Sequence, residues 1–313
     1  MNLKIIGGSS HKGFTQAVCK YLRIKETRTT SLVFSNDNRF VTIDEPVRGD
    51  DVFVIQTQVP PVDSHVMELL IIVRALRDAS AERITAVMPY FPYIRSDKKD
   101  QPRIAITARL LADMLHTAGA SRALIMDMHS PQVQGFFSMP CDHLLAAPEI
   151  VRYLKKNWNL KNYCLVAGDA GAAKMLKLFA DGLNLPVAIM DKRREGNEEN
   201  VIIKGVIGDV KNKKALIIDD ETQTGGTLTK DAKYLIKKAG AISVDACFVH
   251  AALGLEAEEK LNKSPIKKFV TTDTIPLEGH NLKNCAVVSV TKKFAECIGR
   301  IHEGKSIKSL NDL

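Results

Sequence analysis

A chain of 313 residues has room for one large or two medium domains, and its 45% hydrophobic and 26% charged residues exclude a disordered or fibrous class. The balance of 44 basic against 36 acidic residues, a formal charge of +8, suits anionic partners. No long basic tail and no basic stripe interleaved with aromatics is present, so phosphorylated small molecules explain the charge better than nucleic acid does. Apolar runs alternate with helical patterns from the start. Strands are expected at Lys4–Ile6 and Val52–Thr57, with the polar turn Phe34-Ser35-Asn36-Asp37-Asn38-Arg39 between them, and a helix is expected over Ser64–Ala79. A strand at Ile84–Pro89 then runs into Tyr90–Arg103. This loop is too polar and too broken by proline to be core, and it carries Arg95, Lys98, Lys99 and Arg103 among Asp97 and Asp100. It reads either as a solvated loop or as a mobile cationic lid for a polyphosphate.

A helix over Ile104–Thr117 follows, with Leu110, Leu111, Met114 and Leu115 at helical spacing. The strand Ala123–Met128 ends in Asp127-Met128-His129, at a position where open α/β sheets bind ligands. Imidazole and carboxylate there suit a divalent metal or phosphate oxygens, or are simply polar residues with partners. After a boundary near 146–158, the strand Tyr163–Ala167 leads through Gly168-Asp169 into a helix over Gly171–Leu183. Asp169 is a metal or sugar ligand, or a helix N-cap. The strand Val187–Met190 ends in Asp191-Lys192-Arg193-Arg194, a dense cationic tip that suits phosphate or forms an exposed basic turn. The polar run Glu195–Asn200 beyond it is expected to be mobile.

The strand Ala215–Ile218 carries the most informative segment. Two adjacent acids, Asp219 and Asp220, are followed by Glu221-Thr222-Gln223-Thr224-Gly225-Gly226-Thr227, and a helix is expected over Leu228–Lys238. Glycines let backbone N–H groups close on an anion, threonine hydroxyls add donors, and a helix N-terminus adds orphan amides. The acids suit sugar hydroxyls or a metal. The segment therefore describes either an ordinary βα turn with an N-cap threonine or, with the paired acids attached, a pocket for a phosphorylated sugar. Strands at Val244–Val249, Lys268–Thr272 and Ala286–Val290 and a helix over Thr291–His302 complete the pattern. Alternation of this kind predicts βαβ units and parallel sheets. The chain also echoes itself: LHTAGASRALIMDMH ends at His129 and LIKKAGAISVDACFVH ends at His250, with Ala118 and Ala239 separated by the same 121 residues as the histidines. Two similar α/β halves are expected, 1–148 and 149–313.

Taken in order, these motifs resemble the ribose-phosphate pyrophosphokinases, also called phosphoribosyl pyrophosphate synthetases. The resemblance runs from about Phe34 to Glu303. DMHSPQVQGFFSMPCD at 127–142 is its most specific piece, joined by VRGDDVFVIQT at 47–57, MELL at 67–70, DKRR at 191–194, SPIKKFVTTDTIP at 264–276 and RIHEGKSI at 300–307. It implies two phosphoribosyltransferase-like halves, each a mainly parallel sheet flanked by helices. It also implies transfer of the β,γ-diphosphate of ATP to the 1-hydroxyl of ribose 5-phosphate, with Mg2+.

Carried over by motif, Lys192 and Arg194 are the catalytic cations. Phe34, Asn36, Asn38, Arg95, Ser96, Asp97, Lys99, Arg103 and His129 face ATP. Asp219, Asp220, Gln223, Thr224, Gly225, Gly226 and Thr227 hold ribose 5-phosphate. His129, Asp127, Asp142 and Asp169 are the metal-side residues. The segment at Phe34 then serves a neighbouring subunit, which implies a homo-oligomer built on dimers and possibly a hexamer. A phosphoribosyltransferase and a non-catalytic regulatory subunit are the alternative functions. The chain departs from the common pattern at Asn36-Asp37-Asn38, Ser96, Ala170, Ala172, Ser138 and Gln223. Six cysteines form no CxxC pair or zinc spacing and lie mostly in apolar runs. No apolar run approaches the roughly 18 residues of a membrane span, and MNLKIIGGSS is too short in its apolar part for a signal peptide. A cytoplasmic protein without membrane or nucleic-acid partners is expected.

Overall fold

A computed structural model describes residues 1–57, 59–194 and 201–313, with only the backbone of Ala170, Arg194 and Val201. The expected mobile run Glu195–Asn200 lies outside the described residues. The chain groups into two compact units, 1–145 with 274–276 and 290–312, and 146–273 with 277–289 and 313.

In the first unit the elements are β1 (Leu3–Gly7), α1 (Lys12–Leu22), β2 (Thr29–Val33), β3 (Arg39–Ile43), β4 (Asp51–Ile55), α2 (Val62–Asp78), β5 (Arg83–Met88), α3 (Thr107–Ala118), β6 (Arg122–Met126) and β7 (Cys141–Leu144). Five strands form one sheet in the order β1-β4-β5-β6-β7, all parallel. Strand β4 is buried at every position, which is why DVFVI reads as a nearly unbroken apolar run. Strands β2 and β3 pair antiparallel as a separate hairpin. On α3, Leu111 and Leu115 are buried as their spacing predicts, but Leu110 is 53% exposed. The helix starts at Thr107 rather than Ile104 because Ser96 Oγ accepts the Thr107 N–H at 3.2 Å and closes the preceding loop onto it.

In the second unit follow α4 (Ala147–Asn157), β8 (Tyr163–Ala167), α5 (Ala173–Leu183), β9 (Val187–Arg194), β10 (Val201–Ile207), β11 (Lys214–Thr222), α6 (Gly226–Lys237), β12 (Ser243–Ala251), α7 (Ala257–Asn262), β13 (Ile266–Thr272) and β14 (Cys285–Val288). The seven strands lie in the order β10-β9-β8-β11-β12-β13-β14. Only the β9–β10 pair is antiparallel. The last helix, α8 (Thr291–His302), belongs to the first unit, where Phe294 meets Phe14 of α1 edge to face at 5.3 Å. Among the described residues no helix is long and apolar enough to cross a membrane.

The repeated AGA segments fold alike. Each ends a helix, α3 or α6, and each turns on a glycine with positive φ, Gly119 at 124° and Gly240 at 76°. Each then enters a central parallel strand, β6 or β12. The histidines diverge. His129 is exposed beyond the end of β6, whereas His250 is 2% exposed inside β12.

Candidate active site

Strand order alone singles out one place in the second unit. From β8 the chain moves through α5 to β9 on one side. From β11 it moves through α6 to β12 on the other. The order therefore reverses between β8 and β11, and the crevice outside the carboxyl ends of such a strand pair is where open α/β sheets bind ligands. In the first unit successive sheet strands always advance in one direction, so no such reversal occurs there.

The segment 219–227 leaves β11 at this crevice. Asp219 and Asp220 are half-buried, and each accepts a backbone N–H from the next residue, at 3.0 and 2.9 Å, which fixes both carboxylates at the strand tip. Glu221 turns inward, 2% exposed, and holds the Gln223 amide at 3.0 Å. Gly225 caps α6 with φ 65° and ψ 0°, a left-handed conformation that glycine adopts without steric cost. A Cβ there would lie 2.6 Å from Leu261 Cγ, so the loop needs glycine twice over. Thr224 and Thr227 stay exposed, and the Gly226 N–H reaches Thr224 Oγ1 at 3.3 Å. The first amides of α6 thus open toward solvent beside two acids, which suits an anion linked to a polyol.

Neighbouring tips add charge. At the end of β8, Asp169 Oδ1 accepts the N–H groups of Gly171 and Ala172 at 2.8 and 3.2 Å, so this acid does cap the following turn, and it stays exposed while doing so. At the end of β9, Arg193 extends outward and lies 3.6 Å from Asp191. Lys192 instead turns inward and donates to Asp231 Oδ2 at 2.7 Å. The sequence reading missed Asp231. Its signal was an acid set inside the apolar stripe Leu228, Ala232, Leu235 of α6, all buried at 0–1%.

In the first unit, Arg95, Lys99 and Arg103 are exposed, and Asp97 is half-buried, on the loop beyond β5. Ser96 is committed to α3 as described, which makes it part of the loop's anchor. Beyond the adjacent β6, Asp127 is 6% exposed with φ 39°, and His129 projects outward one residue past the buried Met128. His143 on β7 holds this turn, since its Nε2 accepts the Met128 N–H at 3.1 Å. Burial pushes the His143 imidazole down to about 4, which keeps it a neutral acceptor.

His143 also sets an acid limit. A histidine whose folded pKa is depressed is protonated more readily once unfolded, so its contribution is present above about 6.5 and is lost as pH falls toward 4. We expect His143→Gln to flatten that part of the stability curve measured by thermal melts between pH 7 and 4. An unchanged slope would refute it.

Asp142, expected on the metal side, sits in β7 level with Leu124 of β6, short of the strand end, and pairs with Arg122 at 2.6 Å. Phe34, Asn36 and Asn38 lie at the exposed tip of the β2–β3 hairpin, not on the sheet edge that carries Arg95 and His129. The hairpin is fixed to α2 by Glu68, 1% exposed, which accepts from Ser31 at 2.8 Å and Arg39 at 3.0 Å, and also binds Ser9 and Gln56. Burial alone would push the Glu68 carboxyl up, but these hydrogen bonds outweigh it and hold it below the ordinary carboxylate value.

Among the described residues no group of three or more His, Cys, Asp or Glu forms a ready metal cage. Mg2+ in phosphoryl-transfer sites takes only one or two carboxylates and completes its shell with phosphate oxygens and water. Asp127 and Asp169 each stand just past a strand end of their own unit, where a single carboxylate can contribute to such a shell.

A switch-point anion pocket flanked by acids, with cationic loops on a second parallel sheet, defines an α/β protein that handles phosphorylated sugars or nucleotides. Comparisons with known proteins narrow this class. Residues 3–119 match the N-terminal domain of ribose phosphate pyrophosphokinase, and residues 202–311 match the phosphoribosyl synthetase-associated domain. A ribose-phosphate pyrophosphokinase of Clostridium acetobutylicum is 42% identical over 99% of this chain and 97% of its own length. Ribose-phosphate pyrophosphokinase 2 of Schizosaccharomyces pombe is 40% identical with the same coverage. The crystal structure of phosphoribosylpyrophosphate synthetase from Mycobacterium smegmatis superposes with a TM-score of 0.91 at 35% identity, over 97% of this chain and 100% of that one. The chain belongs to the ribose-phosphate pyrophosphokinase family.

Proposed function

We propose that this chain is a ribose-phosphate diphosphokinase. The 1-hydroxyl oxygen of ribose 5-phosphate attacks the β-phosphorus of ATP, and the bond from that phosphorus to the oxygen bridging the α-phosphate breaks. AMP leaves with that oxygen, the hydroxyl proton goes to solvent, and phosphoribosyl pyrophosphate is the product. The observation that carries this reading is the 219–227 segment at the strand-order reversal, because it offers an anion seat and paired carboxylates within one turn.

Each residue takes a role its position supports. Amides and hydroxyls of Gln223, Thr224, Gly225, Gly226 and Thr227 bind the 5-phosphate. Asp219 and Asp220 accept from ribose hydroxyls and orient the nucleophile. Lys192 and Arg194 neutralise the diphosphate as it moves. Arg95, Asp97, Lys99, Arg103 and His129 bind the nucleotide, with Ser96 anchoring their loop. Were Mg2+ bound, it would supply charge neutralisation to the phosphates: His129, with Asp127 near it, would serve the metal that accompanies the nucleotide, and Asp169 would serve one at the ribose. Phe34, Asn36 and Asn38 serve the nucleotide of a neighbouring subunit. Leu32, Val33, Phe34 and Phe40 are each about half exposed on that hairpin, which supports a dimer-based homo-oligomer, a hexamer included. Neither nucleic acid nor membrane is a partner in this reading. The cytoplasm is the proposed compartment. Burial holds Cys19 up to about 11 and Cys297 up to about 12, so both are inert core thiols that suit a reducing environment.

The test is AMP formation by purified protein with Mg2+, ATP and ribose 5-phosphate. One AMP per phosphoribosyl pyrophosphate is expected. Absence of AMP, with binding to an active relative, would make the chain a regulatory subunit instead.

A further inference from the structure

The ammonium of Lys192 is held by a side chain of the protein itself. It lies 2.7 Å from Asp231 Oδ2, with the two side chains 11% and 1% exposed. Gly168, at the end of β8, faces the pair: a Cβ there would meet Lys192 Nζ at 3.8 Å and Asp231 Oδ2 at 3.5 Å, ordinary contact distances. The ammonium is therefore seated at the carboxyl ends of β8 and β9. Its anchor stands on α6, five residues after Gly226, on the same helix whose first turn forms the phosphate loop. One ion pair thus ties the end of β9 to the helix that carries the phosphate loop, beside the end of β8.

Stability does not explain this arrangement. Asp231 interrupts an apolar stripe, and its Oδ1 is buried without a hydrogen-bond partner. Burial pushes its carboxyl above the ordinary value, Lys192 pulls it back, and the charge of Asp169 pushes it up again. A buried pair of this kind is often matched or surpassed in stability by apolar residues of similar volume. A lysine, in contrast to arginine, is a flexible point charge on a four-carbon stem that loses side-chain entropy when fixed in place. An anchor that fixes it in the free protein removes that loss from the chemical step.

We propose that Asp231 is a positioning residue that holds the Lys192 ammonium at the ribose 5-phosphate pocket, ready for the diphosphate. The proposal rests on Lys192 being one of the catalytic cations. It predicts that Asp231 acts on turnover through Lys192 and hardly at all on sugar phosphate binding.

The experiment is a double-mutant cycle on the full-length protein with D231N, K192A and D231N/K192A. It reads kcat, KM for ribose 5-phosphate and thermal unfolding. D231N is expected to lower kcat at least tenfold and to leave KM within twofold. In the K192A background the same change should alter kcat less than twofold. D231E, which keeps the charge, should recover part of the loss, and it replaces D231N should the latter not fold. D231N turnover within twofold of the parent while K192A is crippled overturns the proposal alone, as do D231N and K192A effects that simply multiply. K192A turnover equal to the parent's overturns the assignment of Lys192, and the proposal with it.

Discussion

Replacing Lys192 and Arg194 together by alanine is expected to lower kcat by about 10³–10⁵-fold, the range seen when a cation that neutralises a moving phosphoryl group is lost. The reason is geometric as well as electrostatic. Diphosphate transfer asks little covalent chemistry of the protein, so positioning and charge supply most of the rate. The two substitutions should differ in their effect on folding. Lys192 closes a buried ion pair, and removing one partner of such a pair costs about 3–5 kcal/mol unless the other side takes up a proton. Asp231 is predisposed to do so, because burial already raises its carboxyl. A drop in melting temperature should therefore accompany Lys192→Ala, largest at alkaline pH, and should shrink on acidification. Arg194→Ala should lose turnover. The pair of kcat values and the two melting curves check this. Parental kcat in the double variant would remove both residues from the mechanism.

The second large effect is expected at Gly225. Alanine there must adopt φ 65°, at a cost of roughly 1–2 kcal/mol, and its Cβ would sit 2.6 Å from Leu261 Cγ, a side chain with no exposure and no room to move. The loop must then shift, and amides aimed at the phosphate lose their alignment. Two charge-assisted hydrogen bonds, each worth about 1.5–3 kcal/mol, translate into a KM for ribose 5-phosphate raised at least about 100-fold. The KM for ATP should change far less. Adding Leu261→Ala removes the clash but not the backbone strain, so it should restore only part of the affinity. Full affinity in Gly225→Ala alone would show that the loop does not seat the phosphate.

Much of this was legible in the sequence because the chemistry needed unusual local patterns. The acid pair followed by Thr224-Gly225-Gly226-Thr227 identified the tip of β11 and the start of α6, since only a glycine-rich turn lets amides converge on an anion. Continuous apolar runs located the parallel strands β4, β8 and β11. The helix α1 was missed because it is short, no side chain caps its start, and its buried stripe Phe14, Thr15, Val18 and Cys19 includes a polar residue. The hairpin β2–β3 was missed because it has almost no buried face: only Val41 of its ten residues is buried. Helix α4, with Ile150 and Leu154 fully buried, occupies the stretch 146–158 that reads in sequence as the boundary between the halves.

The site was less legible than the fold, for a different reason. Motifs name residues without their partners. Asp127, Asp142 and His129 belong to one signature, yet Asp142 pairs with Arg122, and His143 holds the turn that carries His129. Ser96 stands in the loop expected to face the nucleotide, yet its hydroxyl serves α3. Asp231 belongs to no motif and becomes visible only when β9 and α6 are brought together. Partners distant in sequence are set by tertiary packing, and a local pattern does not carry them.

The most direct measurement is a crystal structure grown with ribose 5-phosphate. The 5-phosphate should lie against the amides of residues 223–227, with the ring hydroxyls on Asp219 and Asp220. Density for the sugar phosphate at any other strand edge, with that turn bare, would contradict the account at its root.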